Sequence, residues 1–134
     1  MADDRINLGE IDWNIIDNPN SILQNLSPEE KNRVLIPIGN FQINYPASRF
    51  NSYRVIVNYN PTTPVTLQQL ILTIYDFYQG PITAEDERGI ESRGSEDEKE
   101  IADGAKKMVD LLDGITYFQY LERSDNIYTF TLNG

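Results

Sequence analysis

The stretch TLQQLILTIYDFYQG, residues 66–80, predicts a helix that is largely buried. Thr66 and Gln69 have the spacing of a capping box, in which the hydroxyl accepts a hydrogen bond from the third amide and the glutamine reaches back. Apolar side chains then recur at helical spacing, at Leu67, Leu70, Ile71, Ile74, Tyr75 and Tyr78. Gly80, which is followed by a proline, is a typical end for such a helix.

On the C-terminal side, two further helices and a hairpin are expected. Thr83, with an acid three residues later, caps a helix that runs to about Ile90, and Ser95 caps a third helix over 96–113. The segments 115–121 and 127–132 are rich in aromatic and β-branched residues, which predicts an antiparallel hairpin around a polar loop at 122–126.

On the N-terminal side, the pattern changes from helix to strand. Ser27 and Pro28 begin a short helix. Two or three strands are then predicted, at 34–38, 41–45 and 53–59. The Pro-rich stretch 60–64 marks a boundary, because two prolines within four residues forbid a continuing ladder or helix.

The expected fold is therefore α+β, with an acidic N-terminal arm at 1–19 and one globular domain at 20–134. Within that domain, 20–60 is rich in strands, and 62–134 contains three helices and the hairpin. The order of these elements resembles a winged-helix domain, in which residues 81–83 would form the small first strand and 122–126 the tip of the wing. The resemblance rests on element order and covers about half of the chain.

A second resemblance lies in short stretches of sequence. Residues 65–70 and 74–78, together with Tyr117-Phe118, resemble small proteins encoded by large DNA viruses of amoebae, which often have no assigned activity. This resemblance implies a viral origin rather than a mechanism. A structural component of the virion and an adaptor in a viral transcription assembly both fit a chain that acts by binding other proteins.

The composition argues against most enzyme mechanisms. The chain has no cysteine and no histidine, which removes thiolate nucleophiles, zinc sites built on these ligands and the usual general base at neutral pH. No phosphate-binding loop or nucleophile elbow is present. Acidic pairs such as Glu29-Glu30 are routine at helix caps, and the acids of 85–103 lack calcium-loop spacing. We therefore expect no enzyme activity, no metal and no cofactor.

The charge of −10 is unevenly distributed. Acids exceed bases by four at 1–19 and by six at 83–104, whereas 20–82 carries one excess base. Residues 1–10 lack the apolar core of a secretory signal, and no apolar run has membrane-spanning length. We expect a protein of the cytoplasm, or of a nucleus or virion supplied from it.

The acidity also bears on nucleic-acid binding. A winged-helix protein would present its third helix to DNA, but the first turn of that helix carries four acids against Lys99. Phosphate contacts come mainly from lysine and arginine. DNA binding or transcription regulation by the chain is therefore the alternative interpretation, with Lys106, Lys107 and Arg123 as its contacts.

The preferred interpretation is a non-enzymatic module that binds a protein partner or itself. Because a hairpin alternates its faces, adjacent aromatic residues cannot all point inward, and tyrosine is favoured where an apolar ring meets a partner. The expected partner contacts are Tyr117, Tyr120 and Tyr128, together with Trp13 and Ile15 of the arm. A competing interpretation of Trp13 is that it packs on the core of its own domain.

Overall fold

A computed structural model describes residues 5–6, 13–37, 39–50 and 52–133 and shows a mixed α+β fold. The helices are α1 (Pro19–Leu23), α2 (Pro28–Lys31), α3 (Leu67–Gln79), α4 (Ala84–Arg93), α5 (Glu96–Gly104) and a 3-10 helix, Met108–Leu112. The strands are β1 (Arg5–Ile6), β2 (Val34–Ile36), β3 (Phe41–Pro46), β4 (Arg54–Tyr59), β5 (Val65–Thr66), β6 (Tyr117–Ser124) and β7 (Ile127–Asn133). Within these ranges, no helix has the length and apolarity needed to cross a membrane.

Five strands make one sheet, in the order β1-β6-β7-β3-β4. The pairs β1–β6, β6–β7 and β3–β4 are antiparallel, whereas β3 and β7 run parallel. The N-terminal strands and the C-terminal hairpin therefore share a sheet across the 60–64 linker. Strands β2 and β5 form a separate two-stranded sheet.

Helix α3 lies on one face of the large sheet, where the aromatic core is densest. Tyr45 of β3 stacks on Phe77 with ring centroids 3.9 Å apart, and it meets Tyr78 edge to face at 5.6 Å. Phe130 of β7 completes the group, 5.9 Å from Tyr45. The hydroxyl of Tyr78 donates to the carbonyl of Pro46 at 2.8 Å, so this buried polar atom has a partner.

The predicted helix starts are confirmed. Capping boxes are present at Ser27, Thr66, Thr83 and Ser95, at the beginnings of α2, α3, α4 and α5. Helix α3 ends at Gly80 as predicted, and α4 continues three residues beyond the predicted Ile90. Helix α1 is additional to the predicted elements; the Asn18 side chain caps it, and proline lies in its first turn.

The third helix is shorter than the predicted 96–113. It ends at Gly104, and an extended link precedes the 3-10 helix. Two contacts hold this link open: the Asp110 carboxylate accepts the amides of Lys106 and Lys107 at 3.0 Å, and the Met108 amide donates to the Gly80 carbonyl. A continuous helix over 96–113 is therefore wrong.

The hairpin is longer than expected and its turn is shorter. The predicted polar loop 122–126 is reduced to Asp125 and Asn126, with Asp125 at φ 57°, and residues 122–124 pair with β7. The predicted first strand is a single bridge between Pro81 and Lys107, and in the described ranges it does not reach the hairpin. The winged-helix arrangement thus stays a prediction, while the α+β class is confirmed.

Candidate interaction surface

The large sheet has two different faces. Helix α3 covers one of them, and the side chains of the other face are mostly polar. The pairing registers place thirteen described side chains on this second face, which we call the open face: Gln42, Asn44, Pro46, Arg54, Ile56, Asn58, Tyr117, Tyr120, Glu122, Ser124, Ile127, Thr129 and Thr131. Only Pro46 among them is buried, whereas the neighbouring Ile43, Tyr45 and Phe130 on the opposite face are 0% exposed.

The open face is polar but carries little charge. Among the described side chains of this face, Glu122 is the only acid and Arg54 is the only base. Hydroxyl and amide side chains fill the middle strands, and Gln42 donates to the Asn58 side chain at 2.6 Å. Interface cores are depleted in charged residues and enriched in tyrosine, so this face has the composition of a protein-binding surface.

Arg54 holds the middle of the open face together. The Gln42 amide donates to the Asn126 carbonyl, and in a parallel ladder such bonds recur every two residues along each strand. Four residues further along both strands, the repeat would require the amide of Pro46 to donate to the Phe130 carbonyl. Proline has no amide hydrogen. The Arg54 guanidinium donates to Phe130 O at 2.7 Å and to Asn44 O at 2.9 Å instead. Its burial lowers the pKa of Arg54.

Two of the predicted partner contacts lie on the open face. Tyr117 is 43% exposed, and Tyr120 is half-buried and pairs with Thr131. The adjacent Phe118 points the other way, into contact with Trp13 and Phe130 at 5.6 and 5.3 Å. The alternation expected of the hairpin is therefore present, despite a bulge between Phe118 and Tyr120.

The other three predicted partner contacts are buried in the chain itself. Trp13 and Ile15 are 1% and 0% exposed, because the segment around them lies along β6, with the Phe118 amide donating to Trp13 O and the Ile15 amide to Thr116 O. Tyr128 is 3% exposed and meets Phe41 edge to face. These side chains are not available to a partner, which corrects the prediction for all three. Ile11, also in the arm, lies outside the described residues.

The predicted nucleic-acid contacts are not brought together. The Lys107 side chain donates to the Gln79 side chain, and its main chain forms a β-bridge with Pro81. Both contacts lie at the C-terminal end of α3, which packs near Pro46. Arg123 donates to Asp125 O in the hairpin turn, beside the start of β3. Because Pro46 and Gln42 stand at opposite ends of β3, the lysines and Arg123 are at opposite ends of the sheet. The side chain of Lys106 is exposed.

A cleft of about 790 Å³ lies beside the sheet, between β4 and α4. Residues 53–56 line one wall of the cleft, and Arg88 and Arg93 of α4 line the other. Asp76 of α3 also lines it. At one end the Tyr53 hydroxyl donates to Asp86 at 2.8 Å. Burial, followed by this hydrogen bond, raises the pKa of Tyr53. We call this feature the β4–α4 cleft.

One carboxylate outside the open face has several hydrogen bonds. Glu98 is 2% exposed and accepts from the Phe50 amide at 3.1 Å, the Ser95 amide at 2.9 Å and the Ser52 hydroxyl, which ties the loop between β3 and β4 to α5. Burial alone would raise the pKa of Glu98, but these bonds and one from Ser48 outweigh it and lower the pKa to about 2. Its role is structural, since every bond joins parts of the chain.

The sequence missed most of the open face. Alternating polar residues in 41–45 indicated a strand with one solvated side, but no pattern showed that β7 would lie next to β3. Within the described ranges, no group of three or more acids is arranged to hold a metal ion. Comparisons with protein-family models, with curated proteins and with solved structures gave no match for this chain.

Proposed function

We propose that this chain is a non-enzymatic protein-interaction module that binds its partner through the open face. The observation that carries the proposal is the contrast in charge: the chain has a net charge of −10, whereas the described side chains of the open face include one acid and one base. Solubility favours charge on a surface that stays in water. The near absence of charge from the described side chains of four strands, together with the exposure of Tyr117 and Ile56, supports a face that a partner covers.

A direct test uses a photocrosslinking phenylalanine analogue at position 117, with the same analogue at Glu87 of α4 as the control. Both positions are exposed, but only the first is on the open face. In cells that make the protein, we expect one defined protein adduct from position 117 and none from position 87. Thr131→Arg, a charge in the middle of the face, should abolish the adduct while the fold is retained.

The alternative function, nucleic-acid binding by a winged helix, predicts a different result. Binding driven by phosphates falls steeply with salt, so retention of duplex DNA or RNA would be greatest at about 50 mM salt and lost well above it. We expect no retention at any salt concentration, because the predicted basic contacts are separated. Micromolar, salt-sensitive binding, or a nuclease-sensitive adduct at position 117, would overturn the proposal. A viral origin for the module remains a proposal that rests on the sequence resemblance alone.

A further inference from the structure

We propose that the β4–α4 cleft binds a short peptide whose amino and carboxyl termini are both free. The proposal concerns the cleft alone and does not depend on what covers the open face. With a volume of about 790 Å³, the cleft is within the usual size range of ligand-binding sites. Its lining combines an apolar floor with charges of both signs, which are the two features that such a peptide requires.

The floor of the cleft is apolar and aromatic. Tyr53 and Met108 are 9% and 3% exposed. Val55 and Phe77, which also line the cleft, are half-buried. The Met108 amide donates to the Gly80 carbonyl at 3.0 Å, which holds this residue at the end of α3. Apolar side chains of a ligand that rest on this floor are removed from water, which is the main favourable contribution to such binding.

The exposed charges of the cleft are separated along α4. Asp76 lies in the last turn of α3 and Glu85 in the first turn of α4, and only residues 80–83 join the two helices. These two acids therefore mark one end of the cleft. Arg88 and Arg93 follow on α4, about 5 and 12 Å along the helix axis from Glu85. The cleft is thus acidic at the junction of α3 and α4 and basic toward the end of α4.

These four charged side chains are available to a ligand. All four are exposed, and no side-chain hydrogen bond or salt bridge joins them to a residue that the structure describes. The other two charged residues of the lining already have partners. Asp86 accepts from the Tyr53 hydroxyl and the Thr83 amide, and Arg54 donates to two main-chain carbonyls. A ligand that reaches the four exposed charges therefore breaks no contact of the described chain.

The wall formed by α4 is held in place before any ligand binds. Gly89 lies against the Tyr53 ring, and an added methyl group there would overlap the ring. The Tyr53 hydroxyl donates to Asp86 at 2.8 Å, and Asp86 also accepts from the Thr83 amide at 3.0 Å. These contacts fix the position of α4 relative to the floor. A preformed site of this kind favours affinity, because less ordering is needed on association.

A short peptide with free termini matches this arrangement in charge and in length. Its ammonium group is attracted to the acidic end, and its carboxylate to the two arginines, whose planar guanidinium groups supply paired donors. At about 3.3 Å per residue, about three or four extended residues span about 10 to 13 Å, which is comparable with the distance from Glu85 to Arg93 along α4. A purely anionic or purely cationic ligand meets charges of its own sign at one end, so the cleft selects against both.

The test is isothermal titration calorimetry of the full chain with two tetrapeptides, Ala-Leu-Leu-Ala and Ala-Phe-Phe-Ala. We expect dissociation constants of about 10 to 100 µM when both termini are free. Acetylation of the amino terminus and amidation of the carboxyl terminus should each weaken binding by about tenfold or more, since each removes one charge. No binding of either free peptide at about 1 mM, or equal binding of the same peptides with both termini blocked, would overturn the proposal.

Paired variants assign each end of the peptide to one end of the cleft. Arg88→Gln combined with Arg93→Gln should weaken binding of the free peptides by about tenfold or more, with the far-UV spectrum retained. The same variant should leave binding of the amidated peptides unchanged, because these peptides have no terminal carboxylate to lose. Asp76→Asn combined with Glu85→Gln should weaken binding of the free peptides in the same way and leave binding of the acetylated peptides unchanged.

Glu87→Gln and Arg33→Gln are the matched controls, because both side chains are exposed and neither lines the cleft. Both variants should bind the free peptides as the unmodified protein does. If the cleft variants and the controls bind equally, the peptide site lies elsewhere and the proposal is wrong. Thr131→Arg separates the two proposals, because it should block the partner adduct and leave peptide binding unchanged.

Discussion

Helix α3 buries five side chains against the sheet, all of them apolar or aromatic, whereas α4 and α5 together bury one apolar side chain, Ile90, and two carboxylates, Asp86 and Glu98. The packing of α3 on the sheet depends on apolar surface removed from water, and it involves no charged group that pH could titrate. The packing of α4 and α5 includes hydrogen bonds to the ionised Glu98 carboxylate, which pH changes directly. Two neighbouring parts of one small fold should therefore fail under different conditions.

The largest effect is expected where the sheet meets α3. Phe130→Ala removes a ring that is 0% exposed and in contact with Tyr45, Tyr78 and Phe118. We expect the free energy of unfolding in urea to fall by about 3 to 5 kcal/mol, since the surroundings cannot fully close the cavity. The loss should be the same at pH 4 and pH 7. A loss that varies with pH would contradict a purely apolar contact.

Glu98→Gln should act on the other region and in a pH-dependent way. The pKa of Glu98 is about 2 in the fold and about 4.5 in a free chain, so its stabilisation is complete above pH 4.5 and disappears as the pH falls toward 2. The difference corresponds to on the order of 3 kcal/mol at neutral pH. Urea denaturation from pH 7 to pH 2 should show the variant converging with the unmodified protein in acid.

The control for Glu98 is Glu100→Gln, at an exposed position of the same helix. It should reproduce the pH dependence of the unmodified protein. If both variants lose the same stability across this range, the acidity of α5 as a whole would account for the effect, and the specific bonds to the β3–β4 loop would not.

Gly89→Ala probes a close contact between α4 and Tyr53, the residue before β4. An added methyl group would overlap the Tyr53 ring, so either the ring or the helix must move. We expect a loss of about 1 to 3 kcal/mol in the free energy of unfolding, with α3 unaffected. Faster amide exchange should appear in α4 before it appears in α3, and the opposite order would show that the two regions unfold as one.

The smallest effect is expected at Gly104, in the last turn of α5. An added methyl group would meet nothing within 4 Å there, and the backbone is not left-handed. Gly104→Ala should therefore raise the free energy of unfolding by about 0.4 to 1 kcal/mol, because it restricts the unfolded chain. The melting temperature should rise slightly as a result. A loss of stability would mean that the link after α5 needs the freedom of glycine.

Local signals in the sequence predicted the elements better than their assembly. The four helix caps and the apolar spacing of α3 depend on residues within a few positions of each other, and these predictions were confirmed. The link between Gly104 and Met108 depends on a contact with Gly80, more than twenty residues away, and the sequence carries no local mark of it.

The same limit explains the candidate surface. Hairpin alternation correctly separated Tyr117 from Phe118, but Tyr128, Trp13 and Ile15 are buried by strands and segments that pair over long distances in sequence. The charge counts did indicate a middle segment with few acids. That this segment would contribute two strands to an almost uncharged sheet face follows only from the pairing of β3 with β7.

That pairing has a consequence for how the protein is made. Gln42 and Ile127 face each other in the sheet, and β7 lies between β3 and β6. During synthesis, β3, β4 and α3 leave the ribosome while the strand that joins them to the hairpin is still untranslated. The aromatic side chains that Phe130 will cover are exposed throughout this interval, so the nascent chain should depend on chaperones until residues 127–133 emerge.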